Sequence, residues 1–100
     1  MKKEVSNIGQ ANEIYENNEV VLEECILESS KIYYSITRIS KLDVYDVVLI
    51  DKNTDELINF ESRRRLSSST LKYFNNYKDD VYEDGHGNTF KCISHYILYK

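Results

Sequence analysis

Three consecutive arginines give this chain its most distinctive chemistry. Arg63, Arg64 and Arg65 are followed by Leu66 and by four hydroxyl residues, 67–70. Guanidinium groups bind phosphate and carboxylate through paired hydrogen bonds, and serine hydroxyls add further donors. A helix that begins at these hydroxyl residues would also present free amide groups and a partial positive charge. The predicted anion-binding or partner-binding edge comprises Arg63, Arg64, Arg65, Ser67, Ser68 and Ser69.

The same arginines also fit an ordinary solvated strand end. Successive side chains of an extended chain point to opposite sides, so Arg64 would face away from Arg63 and Arg65. Each guanidinium would then pair with a nearby carboxylate such as that of Glu61, a contact that contributes little stability at a surface. The sequence leaves both interpretations open.

Tyrosine supplies a second candidate surface. The chain has nine tyrosines and no tryptophan, and Tyr33 and Tyr34 lie in a segment rich in β-branched and aromatic residues. Aromatic rings on an exposed sheet face stack on nucleic-acid bases or anchor a protein partner. Tyrosine is equally a good strand residue that packs its ring and keeps its hydroxyl in water. We include Tyr33 and Tyr34 among the predicted binding residues.

The sequence predicts neither a metal site nor a cofactor. Residues 51–55 imitate the start of a calcium loop, but Glu56 and Ser62 stand where that loop needs Gly and Glu. The acidic segment 79–88 contains His86, yet no second histidine or cysteine lies at ligand spacing. Residues 51–55 instead predict a hairpin turn, because Asn and Asp tolerate tight-turn backbone angles.

Two cysteines and one histidine fall within predicted strands. With no pattern of a secretory leader and no apolar stretch of membrane-spanning length, we expect a cytoplasmic protein with Cys25 and Cys92 reduced and packed. A bridge between them is the alternative if their strands pair. His95 lies among apolar neighbours, which is typical of a core histidine bonded to the backbone. A thiol–imidazole nucleophile is the weaker alternative, and we predict that the protein is not an enzyme.

Length and charge limit the function classes. One hundred residues with 41% hydrophobic content form one domain with one core. The net charge of −4 lies in residues 1–50, which carry nine acidic and five basic side chains. The acidic half argues against a general nucleic-acid coat protein, because neutralising phosphate needs a basic face. The acidity suits a basic partner, or serves solubility alone.

The apolar patterning predicts an α+β domain with an antiparallel sheet of about five strands in meander order. The predicted strands are 20–27, 32–39, 44–50, 56–62 and 89–99, with 44–50 central because both of its sides are apolar. Three-residue apolar spacing predicts one main helix over 66–78, capped by Ser67 or Ser68. Spacing within 1–18 predicts a short N-terminal helix, with a loosely held terminus as the alternative.

The leading functional hypothesis is a small non-enzymatic binding protein. It would block or sequester a macromolecular partner, most simply a protein, in the manner of an inhibitor, an immunity protein or a phage anti-defence protein. The alternative is a nucleotide or nucleic-acid phosphate binder that uses Arg63–Arg65 and a helix start at Ser67–Thr70. Neither hypothesis involves a membrane, and the oligomeric state is left open.

Overall fold

Seven antiparallel strands and one α-helix form the part of the chain that the computed structural model describes, residues 1–39, 42–83 and 85–100. In chain order the elements are β1 (Lys2–Glu4), α1 (Ile8–Asn17), β2 (Val20–Glu28), β3 (Ile32–Ile39), β4 (Val44–Asp51), β5 (Leu57–Arg65), a 3-10 helix (Leu71–Asn75), β6 (Val81–Glu83) and β7 (Thr89–Tyr99). The α+β class with an antiparallel sheet is therefore confirmed.

The sheet order is β1-β7-β2-β3-β4-β5, with β6 pairing the other end of β7. Strands β2 to β5 form the predicted meander. The described sheet has seven strands rather than about five, because β1 and β6 have three residues each and are too short to show a period of two. The strand predicted as central, 44–50, is the interior strand β4, which pairs with β3 on one side and with the edge strand β5 on the other.

Helix α1 begins after an N-terminal cap formed by Asn7. The side-chain oxygen of Asn7 accepts a hydrogen bond from the Gln10 amide at 2.9 Å, and such a cap satisfies an amide that lacks a partner within the helix. The helix buries Ala11 and Ile14 against the sheet. The predicted short N-terminal helix is therefore confirmed.

The prediction of a main helix over 66–78 is wrong. Ser67–Thr70 forms a turn in which the Thr70 hydroxyl accepts from the Ser67 amide at 2.8 Å and donates to the Ser67 carbonyl at 2.9 Å. Hydroxyl side chains that bond the backbone in this way compete with helix formation. Only Leu71–Asn75 is helical, as a 3-10 helix with no side-chain cap, and Phe74 is its buried residue.

The sheet has one covered and one uncovered face. We call the inner face the side on which α1 and the 3-10 helix pack, and the outer face the opposite side. The inner face buries Cys25, Leu27, Ile36, Tyr45, Val47, Phe90, Cys92, His95 and Ile97. A register shift opposite Ile26 and Leu27 makes Ile93 an extra residue of β7, which keeps Cys92 and His95 on one face.

The predicted turns lie where the sequence indicates. In the β4–β5 hairpin, the Asp51 amide donates to the Glu56 carbonyl at 2.9 Å, and Asp55 adopts a φ of 57°. We expect the tip at residues 52–55 to be exposed, and residues 53–55 are, whereas Lys52 is half-buried. The predicted turn at 40–43 falls partly on residues 40 and 41, which lie outside the described residues.

Truncation of one isoleucine on each face tests this two-sided sheet. Ile36 is fully buried on the inner face, whereas Ile26 lies half-buried on the outer face of the neighbouring strand. We expect Ile36→Ala to lower the free energy of unfolding by about 2–5 kcal/mol in urea denaturation. Ile26→Ala should cost clearly less, because no element packs over it. Equal losses would show that the outer face is covered.

Candidate functional site

The outer face arranges its side chains in rows that run across the strands. The most polar row follows the register Glu4–Tyr96–Glu24–Thr37–Asp46, one residue from each of β1, β7, β2, β3 and β4. It carries three carboxylates. The Thr37 hydroxyl lies 3.4 Å from Glu24 Oε2, and burial together with the Glu24 hydrogen bond raises the pKa of Tyr96.

Apolar side chains lie on both sides of this acidic row. One flanking row centres on Leu98, Leu22, Ile39 and Val44, and two successive rows on the other side contain Ile26, Val48, Phe60, Tyr33, Ile50 and Leu57. None of these residues is buried, and no described element packs over them. An uncovered sheet face with contiguous apolar groups is typical of an interaction surface.

The exposed apolar groups are concentrated at the β5 edge. Leu57, Ile58 and Phe60 expose 63%, 52% and 52% of their surface. Each is large, and burying such a side chain in an interface stabilises a complex by roughly 1.5–3 kcal/mol. Single exposed apolar residues need no explanation, but three within four residues on an edge strand do.

The three arginines diverge at the far end of the same strand. Arg64 lies opposite Tyr45 on the inner side and contacts Glu61 at 3.3 Å, whereas Arg65 lies opposite Val44 on the outer side. Arg63 occupies a bulge with a φ of 55°, and its amide donates to Asp46 Oδ1 at 2.8 Å. Arg64 is therefore the arginine that pairs with Glu61.

The remaining predicted site residues are not brought together with the arginines into one pocket. The Ser67 hydroxyl contacts the Ser69 hydroxyl at 2.9 Å within an exposed turn, and Ser68 is exposed beside them. Tyr33 lies on the outer face. Tyr34 points to the inner side, where it lines a cleft of about 380 Å³ together with Tyr73, Tyr82 and Phe90.

A buried polar network on the inner face was missed. His95 Nε2 lies 2.6 Å from Glu23 Oε2, and His95 Nδ1 lies 2.7 Å from the Asn76 carbonyl oxygen. The Tyr15 hydroxyl donates to Glu23 Oε1 at 2.7 Å. The Tyr77 ring stacks on the imidazole with centroids 4.6 Å apart. The backbone partner predicted for His95 is present, and the carboxylate partner is additional.

Hydrogen bonding favours the charged form of the buried imidazole. Burial opposes a charged imidazole, but the bonds to Glu23 and to the Asn76 carbonyl outweigh it and raise the pKa of His95 above its usual 6.5. The sequence signals for this network were Glu23, on the apolar side of its strand, and His95, in the middle of another strand. Only the strand order β7-β2 shows that they meet.

The two cysteines lie beside this network as a buried thiol pair. Their sulfur atoms are 3.7 Å apart, and both thiols contact the Asn76 carbonyl oxygen. Both are free, as expected, although their strands pair. Hydrogen bonding to Cys92 and burial raise the pKa of Cys25. Because both ring nitrogens of His95 already face Glu23 and Asn76, neither is directed at a thiol as a base.

Comparison with protein-family models, with curated proteins and with solved structures gives no significant match. Among the described residues, no helix is long and apolar enough to cross a membrane, and no three metal-binding side chains cluster. The predicted acidic loop contains β6, and its Asp84 lies outside the described residues.

The His95–Glu23 contact predicts a defined pH dependence of stability. Because the folded-state pKa of His95 is raised, its contribution is complete below about pH 6.5 and is lost as the pH rises through the folded value. We expect the free energy of unfolding to fall between pH 6 and 9, by about 1.4 kcal/mol for each unit of pKa elevation. Urea denaturation across this range measures the decline.

The matched variant for this measurement is Glu23→Gln. It keeps the size of the side chain but removes the charge that holds the proton on His95, so the decline should flatten and the variant should be less stable at pH 6. Nitrogen-15 NMR of the imidazole follows the protonation directly. A decline of the same size in both proteins would assign the pH dependence to another group.

Proposed function

We propose that the protein is a non-enzymatic binding module that blocks a protein partner with its outer face and the β5 edge. The observation that carries this proposal is the uncovered apolar surface formed by Leu57, Ile58 and Phe60 beside the apolar rows of the outer face. A small domain gains nothing in its own stability from exposing three large apolar groups on an edge strand, where they favour unwanted association.

The charges of the outer face indicate the chemistry of the partner. The carboxylates of Glu4, Glu24 and Asp46 lie between apolar rows, and the net charge of the chain is −4. A partner that presents apolar side chains around a basic centre would match this pattern. Electrostatic complementarity of this kind raises association rates and selects among partners.

The β5 edge offers a second mode of contact for the same partner. An edge strand has unpaired backbone amides and carbonyls that can accept a further strand. Bulges opposite Asp46 and near Ile58 interrupt β5, which leaves Asn59–Glu61 as its longest regularly paired stretch. Contact through backbone pairing would therefore be short, and side chains of the outer face would supply most of the affinity.

The phosphate-binding alternative has less geometric support. Its helix start is a hydroxyl turn, and its arginines diverge from one another. Arg63 and Arg65 still place positive charge beside the outer face. We therefore assign the arginines to orienting the partner rather than to enclosing a phosphate group.

Photocrosslinking from two matched positions tests the proposed surface. Phe60 and Ile8 are 52% and 53% exposed, but Phe60 lies on the outer side of β5 and Ile8 lies on α1. A photoreactive phenylalanine at position 60 should give one discrete protein adduct in the native host cell. The same group at position 8 should give no adduct of that mass, and nuclease treatment should leave the adduct unchanged.

Serine variants at the same two positions are then compared in their affinity for the partner that crosslinking identifies. Phe60→Ser and Ile8→Ser should each change the free energy of unfolding by no more than about 0.5 kcal/mol. Only Phe60→Ser should weaken binding, by tenfold or more. Equal affinity of both variants would remove the outer face from the interface, and an adduct lost to nuclease would favour the nucleic-acid alternative.

Replacing all three arginines by serine tests whether they orient the partner or support the fold. Exposed ion pairs contribute about 0–1 kcal/mol, so the free energy of unfolding should change little. The association rate with the partner should fall, and the difference from the unmodified protein should shrink as salt rises. A variant that unfolds would instead show that the Arg64–Glu61 contact and the Arg63 bulge support the sheet.

A further inference from the structure

The strand β5 and the two residues before it carry charges of opposite sign at their two ends. Asp55 and Glu56 form the acidic end, and Arg63–Arg65 form the basic end. Between these ends lie the exposed apolar side chains of Leu57, Ile58 and Phe60. The same segment turned end for end places its acidic end beside its basic end, which is the self-complementarity that a two-fold interface needs. A second copy of this chain therefore fits the β5 edge in charge and in polarity.

The charges at both ends of this segment are available to a second chain. Glu56, Arg63 and Arg65 are exposed, and none of them takes part in an ion pair within the described part of the chain. Arg64 differs, because it contacts Glu61 at 3.3 Å on its own strand. Neighbouring cations repel one another, and a carboxylate from a second copy would offset that repulsion.

Phe60 has a backbone amide that faces the free edge of β5. The amide donates to Asn59 Oδ1 at 2.9 Å, a bond within the same strand, so β4 does not occupy it. In an antiparallel pair the N–H and C=O of one residue point to the same side, so the Phe60 carbonyl faces that edge as well. β5 ends the strand order of the sheet, and no strand of the described chain pairs with this edge. Two copies can therefore exchange two hydrogen bonds between their Phe60 residues.

We propose that a second copy of this chain pairs with β5 along this edge, antiparallel and with the two-fold axis at Phe60. In this register Asn59 lies opposite Glu61 of the second copy. Glu56 lies among Arg63–Arg65 of the second copy, and the symmetry repeats this contact at the other end. The two Phe60 rings lie side by side, which is a favourable cross-strand contact.

Two bulges limit the strength of this dimer. One bulge lies at Ile58 and the other at residues 62–63, on either side of Phe60. Regular backbone pairing is therefore confined to the centre of the strand, and the charges at the two ends add to it. The dimer is consequently reversible and belongs to the weak class of protein interfaces.

Self-association through this edge goes beyond the proposed function and does not depend on it. Pairing uses the backbone of β5 and leaves the apolar and acidic rows of the outer face uncovered. The two outer faces would join into one surface, with Leu57 and Phe60 of both copies at its centre. A crosslink from position 60 to the second copy would have twice the mass of the chain, which distinguishes it from an adduct with another protein.

Charge reversal at the two ends tests the register with the purified protein. Sedimentation equilibrium should show a dimer with a dissociation constant on the order of 10–100 µM, which weakens as salt rises. Glu56→Arg should weaken the dimer by about tenfold or more, and so should Arg63→Glu combined with Arg65→Glu, because each brings like charges together. An equimolar mixture of these two proteins should form a heterodimer of the original affinity, because both end contacts are then attractive. Glu16→Arg, the same change at an exposed position of α1, should leave the dimer unchanged.

The Phe60 amide gives a second measurement that needs no substitution. Its NMR signal should shift when the protein is diluted from about 1 mM to about 10 µM. The Gln10 amide is the matched control and should not shift, since it also donates to an asparagine side chain at 2.9 Å but lies on α1. A monomer at every concentration up to about 1 mM would overturn the proposal and leave the edge to a different protein. A dimer that keeps full affinity in Glu56→Arg, or a mixture that does not recover it, would overturn the β5 register.

Discussion

The hydrogen bond between Glu23 and His95 links more elements of this fold than any other side-chain contact described above. It joins β2 to β7, and His95 also binds the carbonyl of Asn76, just after the 3-10 helix. Tyr15 of α1 and Arg38 of β3 reach the same carboxylate. Loss of one member of a buried pair leaves the other without compensation, which typically costs 3–5 kcal/mol. One carboxylate–imidazole pair thus contacts α1, β3 and the residue that follows the 3-10 helix.

The two faces of the sheet differ in how their polar groups are paired and in what covers them. Apart from the buried Nε of Arg38, the polar groups of the Glu23–His95 network on the inner face are satisfied by one another, so that face can be closed by α1 and the 3-10 helix. The outer face has no such cover, and its carboxylates accept bonds only from neighbours such as Thr37 and Ser62. A sheet with one face solvated normally alternates apolar-in with polar-out. Here Val48, Ile50 and Phe60 break that alternation, which is the basis for proposing a partner.

Local patterns in the sequence were enough to predict the meander, the hairpin tip and the N-terminal helix. Each depends on neighbours within about ten residues, such as the Asn7 cap or the turn after Asp51. The failures come from contacts that the apolar pattern of the sequence does not show, some of them local and some between distant strands. The helix over 66–78 was displaced by hydroxyl bonds to the backbone and by the Asp80 carboxylate, which accepts from the Tyr77 amide at 2.9 Å. The side of the sheet to which His95 points could not be read from the sequence, because the extra residue Ile93 reverses the alternation of β7.

The pairing of β2 with β7 also has a consequence for the time course of folding. Glu23 and His95 are 72 residues apart in the chain, and β2 and β7 share the largest interface in the sheet. Sequence separation of this kind slows folding because a long loop must close before its contacts form. During synthesis, the β2–β5 meander can form before residues 91–99 leave the ribosome. One edge of β2 is unpaired until they do. In that interval the unpaired edge of β2 and the apolar inner face are open to other chains, so chaperone protection would matter most then.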